Sequence, residues 1–423
     1  MNARPFDLKQ RFPIIFCAAV IAVQTANAAV TNAPPAQTTR YDKGIETYVQ
    51  FLKAHNQSPA DYIVSLFRHY DLVVLCERSH PEVTQYNLIC DVARDPRFQQ
   101  ESGQIFTEIG SAALQPYIES FLNAEQLNVE QVNEELRYVA SHMGNDSFWP
   151  DTNYYDFLKA IHTLDRSLPK NARVHVCPVG LDFDWQKATR ETWAEFQTKQ
   201  LSQRDRIMAE NVIRQFNEFR QAGTRNKALV IMDYRHAFPH LKGEGEVHNT
   251  CGYLMAAFPG KVANVMMNSE AILPGTTDQK AVLTAVQNGK WDAAFAALNN
   301  PALGFDFKGS PFGKDDFDYW PFNTGLNYED VFTGFVFFKP LKDHRLSFGI
   351  PGVADSRLKD EILRRCQAIG SPLSDDEAGM IANLDKLRIF TYDDCPYLSK
   401  SDYAAKIRQW LPDTPGEPTS TIP

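Results

Sequence analysis

Three short stretches of the sequence carry ionisable side chains in an arrangement suited to acid–base chemistry. Cys76-Glu77-Arg78-Ser79-His80-Pro81-Glu82 follows an apolar run, Thr107-Glu108-Ile109-Gly110 ends a second, and Met232-Asp233-Tyr234-Arg235-His236-Ala237-Phe238 follows a third. Histidine exchanges its proton near neutral pH, and a nearby carboxylate sets its tautomer and its charge. Glu77 and His80, three residues apart, are such a pair, and His236 is a second imidazole at the equivalent point after a later run. Pro81 suits the first position of a helix, which would put His80 at the positive end of a helix dipole. That field favours the neutral imidazole, the form that acts as a base. The plainer reading makes Glu77 a strand-end carboxylate and His80 a cap residue, both tied into local hydrogen bonds.

Glu108 is flanked by Ile105, Phe106 and Ile109. An isolated buried carboxylate is costly, so Glu108 either faces a polar cleft or is paired, with Arg78 or Arg204 available as its partner. Ser202-Gln203-Arg204-Asp205 opens a helical pattern. Ser202 with Asp205 fits a capping signature, which leaves Arg204 without a structural task. Glu77, His80, Glu108 and His236 are also nitrogen and oxygen donors of the kind that hold a divalent metal, an alternative to metal-free chemistry.

Elements able to position these groups are legible as apolar runs. Asp71 to Cys76, Ile105 to Ile109, Arg173 to Val179, Ala228 to Met232, Val262 to Met267 and Phe332 to Phe338 read as strands. Val83, Tyr86, Ile89 and Ala93 mark a helix after the first strand, and Ile207, Val212, Ile213 and Phe216 another before the fourth. Continuous apolar strands joined by helices predict an α/β fold, a largely parallel sheet covered by helices on both faces. Ligands of such sheets gather at the carboxyl ends of the strands, where Glu77, Glu108 and His236 fall. With the first two strands as neighbours, Glu77 and Glu108 would point at one place.

Residues 29–345 read as the α/β domain, with a helical insertion at 113–165. Gly304 to Asn323 (GFDFKGSPFGKDDFDYWPFN) is an aromatic loop expected to act as a lid or pocket wall. Residues 346–423 read as a helical C-terminal segment ending in a disordered tail. With 43 basic against 52 acidic residues the net charge is −9, which argues against nucleic acid as a partner and leaves a small-molecule substrate. No Gly-x-Ser-x-Gly elbow and no GxGxxG or Walker loop occurs, so neither a serine hydrolase nor a phosphate-cradling cofactor is supported.

The succession CERSHPE, TEIG, SQRDRIMAENV and DYRHAF resembles the erythromycin esterase family and its wider relatives, which include Tiki/TraB-type metalloproteases and ChaN-type haem-binding lipoproteins. The resemblance spans about Leu72 to His236. The esterase pattern falls on Glu77 and His80, on Glu108, on Arg204 and Asp205 with Met208 and Asn211, and on His236. It departs at Cys76 and Pro81, where the family usually has glycine. The resemblance implies metal-free hydrolysis of an ester or lactone. His80, oriented by Glu77 or Glu108, would deprotonate water, while His236 and Arg204 would stabilise the oxyanion or protonate the leaving alcohol. Asp205, Tyr234, Tyr319 and Trp320 are the candidates for contact with substrate. The Tiki/TraB branch implies a metal-dependent hydrolase or peptidase using Glu77, His80, Glu108 and His236. The ChaN branch implies a haem- or ligand-binding protein whose cleft the aromatic loop covers.

Residues 1–28 have the order of a signal peptide: Arg4, Lys9 and Arg11, then an apolar run from Phe12 to Val23, then Ala26-Asn27-Ala28. The run is shorter than the roughly 20 residues a membrane span needs. A periplasmic or secreted protein, cleaved near Ala28, is expected. Cys76 and Cys177 lie in apolar runs as buried thiols, while Cys366 and Cys395 are the pair placed for a disulfide.

Overall fold

Apolar runs without the alternation of a half-exposed strand form the centre of the fold. The computed structural model describes residues 41–144, 148–223, 225–239, 249–273, 282–320, 325–396 and 401–411. Its strands are β1 (Leu72–Glu77), β2 (Gln104–Ser111), β3 (His175–Gly180), β4 (Ala228–Asp233), β5 (Val262–Met267), β6 (Glu270–Ile272), β7 (Leu283–Ala285), β8 (Leu303–Asp306), β9 (Gly334–Phe337), β10 (Leu346–Phe348) and β11 (Arg388–Phe390). Seven of them form one sheet in the order β3-β2-β4-β1-β5-β9-β8. Every pairing in it is parallel except β8 with β9. The α/β class read from the sequence is the fold observed.

Alternate residues of β1 feed two separate cores. Leu72, Val74 and Cys76 pack on one face with Met208, Val212 and Phe216 of the helix Arg204–Ala222. Val73 and Leu75 pack on the other with Leu88, Ile89 and Val92 of the helix Val83–Arg94 and with Tyr155, Phe157 and Ile161 of the helix Thr152–Ser167. Burial on both faces is why β1 reads as an unbroken apolar run.

Several expectations are corrected. β1 and β2 are not neighbours, because β4 lies between them and brings its own carboxyl end, Asp233, into the site. The helix after β1 starts at Val83, not Pro81. Glu82 caps it by accepting from the backbone N–H groups of Thr84 and Gln85, and it is ion-paired with the fully buried Arg78 at 2.7 Å. The aromatic loop is core, not lid: Gly304 to Asp306 belong to β8, and Phe305, Phe307, Phe312, Phe317 and Tyr319 are buried among Trp291, Phe295 and Phe335. Large rings lower the free energy most when withdrawn from water, by roughly 1.5–3 kcal/mol for a phenylalanine.

The C-terminal segment is not purely helical. β10 pairs antiparallel with β11 around the helices Ser356–Ile369 and Asp375–Ala382. The Cys366–Cys395 disulfide is not formed: both are thiols and they pack in different hydrophobic clusters. No helix among the described residues is long and apolar enough to cross a membrane. The expected signal peptide at 1–28 and the expected disordered tail, from 412, lie outside the described residues, as do 321–323 of the aromatic loop.

Candidate active site

Register across the sheet assembles the site. Glu77 ends β1 and is paired in register with Asp233 at the end of β4, so both carboxylates project from neighbouring strand ends on the same side. Glu108 reaches over from β2, where its Oε2 accepts from the backbone N–H of Asp233 at 2.8 Å. All this occurs at the carboxyl edge of the sheet, where the strands change direction of succession around β1 and β4.

The turn after β1 holds His80 over these strand ends. Gln85, one turn into the following helix, accepts from the backbone N–H of Arg78 at 2.7 Å and donates to the Ser79 carbonyl at 2.6 Å and to Glu77 Oε1 at 3.1 Å. Asn153 donates to the carbonyls of His80 and Glu82 from the inserted helical layer. The imidazole is thereby clamped. Nδ1 donates to Glu77 Oε2 at 3.0 Å, Nε2 lies 3.5 Å from Asp233 Oδ2 and 4.0 Å from Glu108 Oε1, and Trp149 meets the ring edge to face at 4.9 Å. The side chain keeps 23% of its exposure, enough to reach a ligand.

Electrostatics correct the expected neutral imidazole. Burial works against charge on His80, but the carboxylates of Asp233, Glu77 and Glu108 outweigh it and raise its pKa well above the ordinary range. Burial likewise raises Asp233, with Glu108 and Glu77 adding to the rise. Asp233 Oδ1 is buried with no hydrogen-bond partner among the described residues. Asp151, buried beside the site, is raised to about 7, chiefly by burial and also by Glu77. Glu108 goes the other way. Burial is overcome by His236, Arg204 and His80, which hold its carboxyl at about 2.

His236 stands on the turn after β4 and forms a second imidazole–carboxylate pair. Its Nδ1 donates to Asp205 Oδ1 at 2.6 Å, and its Nε2 lies 3.6 Å from Glu108 Oε1. Asp205 is locked by the backbone N–H and hydroxyl of Thr250, at 2.8 and 2.9 Å. The capping reading of Asp205 is therefore replaced: Ser202 bonds back to the Thr198 carbonyl, and Asp205 orients a histidine. Arg204, on the same first turn, is ion-paired with Glu108, which settles its partner in favour of Arg204 over Arg78.

No family model matches this chain. Nor does any curated protein. Among solved structures, an erythromycin esterase mutant in its open conformation aligns at 9% identity over 65% of this chain and 92% of its own, with a TM-score of 0.41. A Bacillus cereus protein aligns at 8% identity over 71% and 98%, TM-score 0.41, and a succinoglycan biosynthesis protein at 10% over 65% and 89%, TM-score 0.39. Likeness of this extent says nothing of function.

Glu77, His80, Glu108, Arg204, Asp205 and His236 thus converge. Tyr234 borders them at an unusual positive φ of 29° and stacks on Tyr319 at 6.1 Å. Tyr319 and Trp320 lie behind it in the core, the Tyr319 hydroxyl 3.9 Å from the Cys76 thiol, and so are withdrawn from ligand contact. Asp233, Asp151, Gln85 and Trp149 belong to the site without having been singled out. For Asp233 the signal was present: it ends its strand as Glu77 ends β1. The alternative metal set also changes. Among the described residues, the donor atoms that lie within 4.8 Å of one another are those of Glu77, His80 and Asp233, not Glu108 and His236.

Proposed function

We propose that the chain is a hydrolase of carboxylic esters or lactones in which His80 activates water. The observation that carries this reading is the clamp on His80, with a carboxylate at each ring nitrogen and one edge still exposed. His80 and Asp233 both have raised proton affinity and stand 3.5 Å apart, so one proton has two seats. With that proton on Asp233, His80 loses the charge that most favours its protonation, and Nε2 presents a lone pair while Nδ1–H stays on Glu77. Water at Nε2 then yields its proton as its oxygen attacks the acyl carbon. Arg204, held by Glu108, and His236, held by Asp205, stabilise the resulting oxyanion. The imidazolium returns the proton to the leaving alkoxide as the carbon–oxygen bond breaks. The leader-like residues 1–28 support a periplasmic or external setting for this reaction, on a small-molecule substrate.

A divalent metal is the second reading, favoured by the proximity of Glu77, His80 and Asp233 and by the unpartnered Asp233 Oδ1. The fit is partial. Glu77 already takes His80 Nδ1–H, leaving His80 Nε2 and the Asp233 carboxylate as ligands; an ion there would supply Lewis acidity toward bound water.

Turnover of p-nitrophenyl esters and of a lactone panel tests the proposal. His80→Gln should lower turnover by a factor on the order of 10² to 10⁴. His236→Ala should act at the same step, so that the double variant loses much less than the product of the two losses. A His80→Gln protein that keeps its turnover, or that melts early, refutes the assignment. Stoichiometric metal in the purified protein, with activity lost to a chelator, would replace it with the metal reading.

A further inference from the structure

A cavity of about 770 Å³ opens at the carboxyl ends of β2 and β3, lined by none of the acid–base residues. Its floor includes Ser111, which donates to Asp182. Ser111 is the last residue of β2, three positions beyond Glu108 in the chain. One wall is a run of stacked rings. Tyr117 lies on Tyr138 at 4.0 Å and 24°, and Tyr138 on His142 at 4.0 Å and 17°. Tyr117 keeps 45% of its exposure, and it also lines, with Tyr138, a second cavity of about 380 Å³. The two cavities therefore form one groove between the inserted helices and the helix Ser356–Ile369.

The facing wall carries Glu361, which accepts two bonds from Arg364 at 2.7 Å and one from Arg365 at 2.8 Å. Arg365 also sits 5.3 Å over the ring of Trp185. This wall offers planar, hydrogen-bonded polar groups, two guanidinium groups against one carboxylate. Its two guanidinium groups disfavour an organic cation, and Asp182 with the overall acidity of the chain disfavours a polyanion.

Tyr138 is covered by Tyr117 and His142, so the exposed Tyr117 at the end of the stack is the ring that calls for a ligand with a flat, carbon-bound face. Planar donors and acceptors opposite call for hydroxyl groups in pairs. A sugar ring has both. We propose that the groove binds a neutral saccharide more than one ring long. The binding does not depend on the hydrolytic reading, and the sugar is either a separate anchor or part of the substrate.

The full chain is titrated with maltohexaose, cellohexaose and chitohexaose by calorimetry and tryptophan fluorescence. At least one should bind saturably. Tyr117→Ala, at an exposed rim position, should weaken that binding by a factor on the order of 10, while Tyr117→Phe keeps the ring and the affinity. His80→Gln should bind as the parent does, which separates this proposal from the fate of the catalytic one. If the sugar belongs to the substrate, Tyr117→Ala raises KM for an acetylated hexaose but not for p-nitrophenyl acetate; if it is a separate anchor, neither changes. Absence of saturable binding by all three glycans, or binding that Tyr117→Ala leaves intact, overturns the proposal.

Discussion

Replacing Glu108 by glutamine removes one charge from the centre of the site with little change of shape. Its Oε2 contact to the Asp233 N–H is retained by an amide oxygen, whereas the charge facing Arg204, His80 and His236 is lost. The carboxyl is held at about 2 against an ordinary 4.5. At about 1.36 kcal/mol per pH unit, that difference makes Glu108 worth about 3 kcal/mol of folding stability when ionised. Because the folded-state value is depressed, the contribution is fully present above about 4.5 and is lost as pH falls toward 2. Chemical denaturation of parent and Glu108→Gln proteins from pH 7 to pH 2 measures it. The parent should shed about 3 kcal/mol more than the variant across the acid range. Turnover at neutral pH should also fall in the variant, since Arg204 loses its ion-pair partner and His236 a neighbouring negative charge. Parallel acid curves for the two proteins would refute the claim that His236, Arg204 and His80 hold this carboxylate ionised.

Asp233→Asn removes the charge that does most to keep His80 protonated, so the acid limb of the pH–rate profile should move to lower pH; a limb that stays in place separates Asp233 from the base. Thiol titration of the unfolded chain lacking residues 1–28 should find six reactive groups with and without prior reduction, because no disulfide joins Cys366 to Cys395. Intact mass of protein from its native host should place the amino terminus after Ala28, and an uncleaved Met1 in the cytosolic fraction would remove the external setting.

The corrected charge of His80 shows how a site's proton chemistry arises from neighbours far apart in sequence. Its own segment offered Glu77 as a partner and a proline that pointed to a neutral ring. Asp233, on the strand that the fold inserts between β1 and β2, supplies the charge that reverses this. The same segment hides a second network. Arg78, fully buried, pairs with Glu82 and contacts His344 at 2.9 Å, and that histidine is pushed down to about 3 by burial and by the guanidinium. These residues tie the turn after β1 to the chain just before β10, leaving Glu77 and His80 to the cleft.

What the sequence determined by itself was local. Unbroken apolar runs at β1, β2, β4 and β5 announced strands buried on both faces, and polar residues at their carboxyl ends marked the edge where a site forms, since a covered parallel sheet has no other use for charge there. Spacing alone linked Glu77 to His80. Tertiary structure decided strand order, and with it which carboxylate faces His80, because pairing between parallel strands rests on packing of whole faces and not on any short motif. It decided that Asp205 orients His236 and does not cap a helix, since Thr250 and the turn after β4 meet it there. It also turned the aromatic loop into core: composition shows how much apolar surface a segment carries, but only the neighbouring Trp291, Phe295 and Phe335 determine whether water or protein covers it.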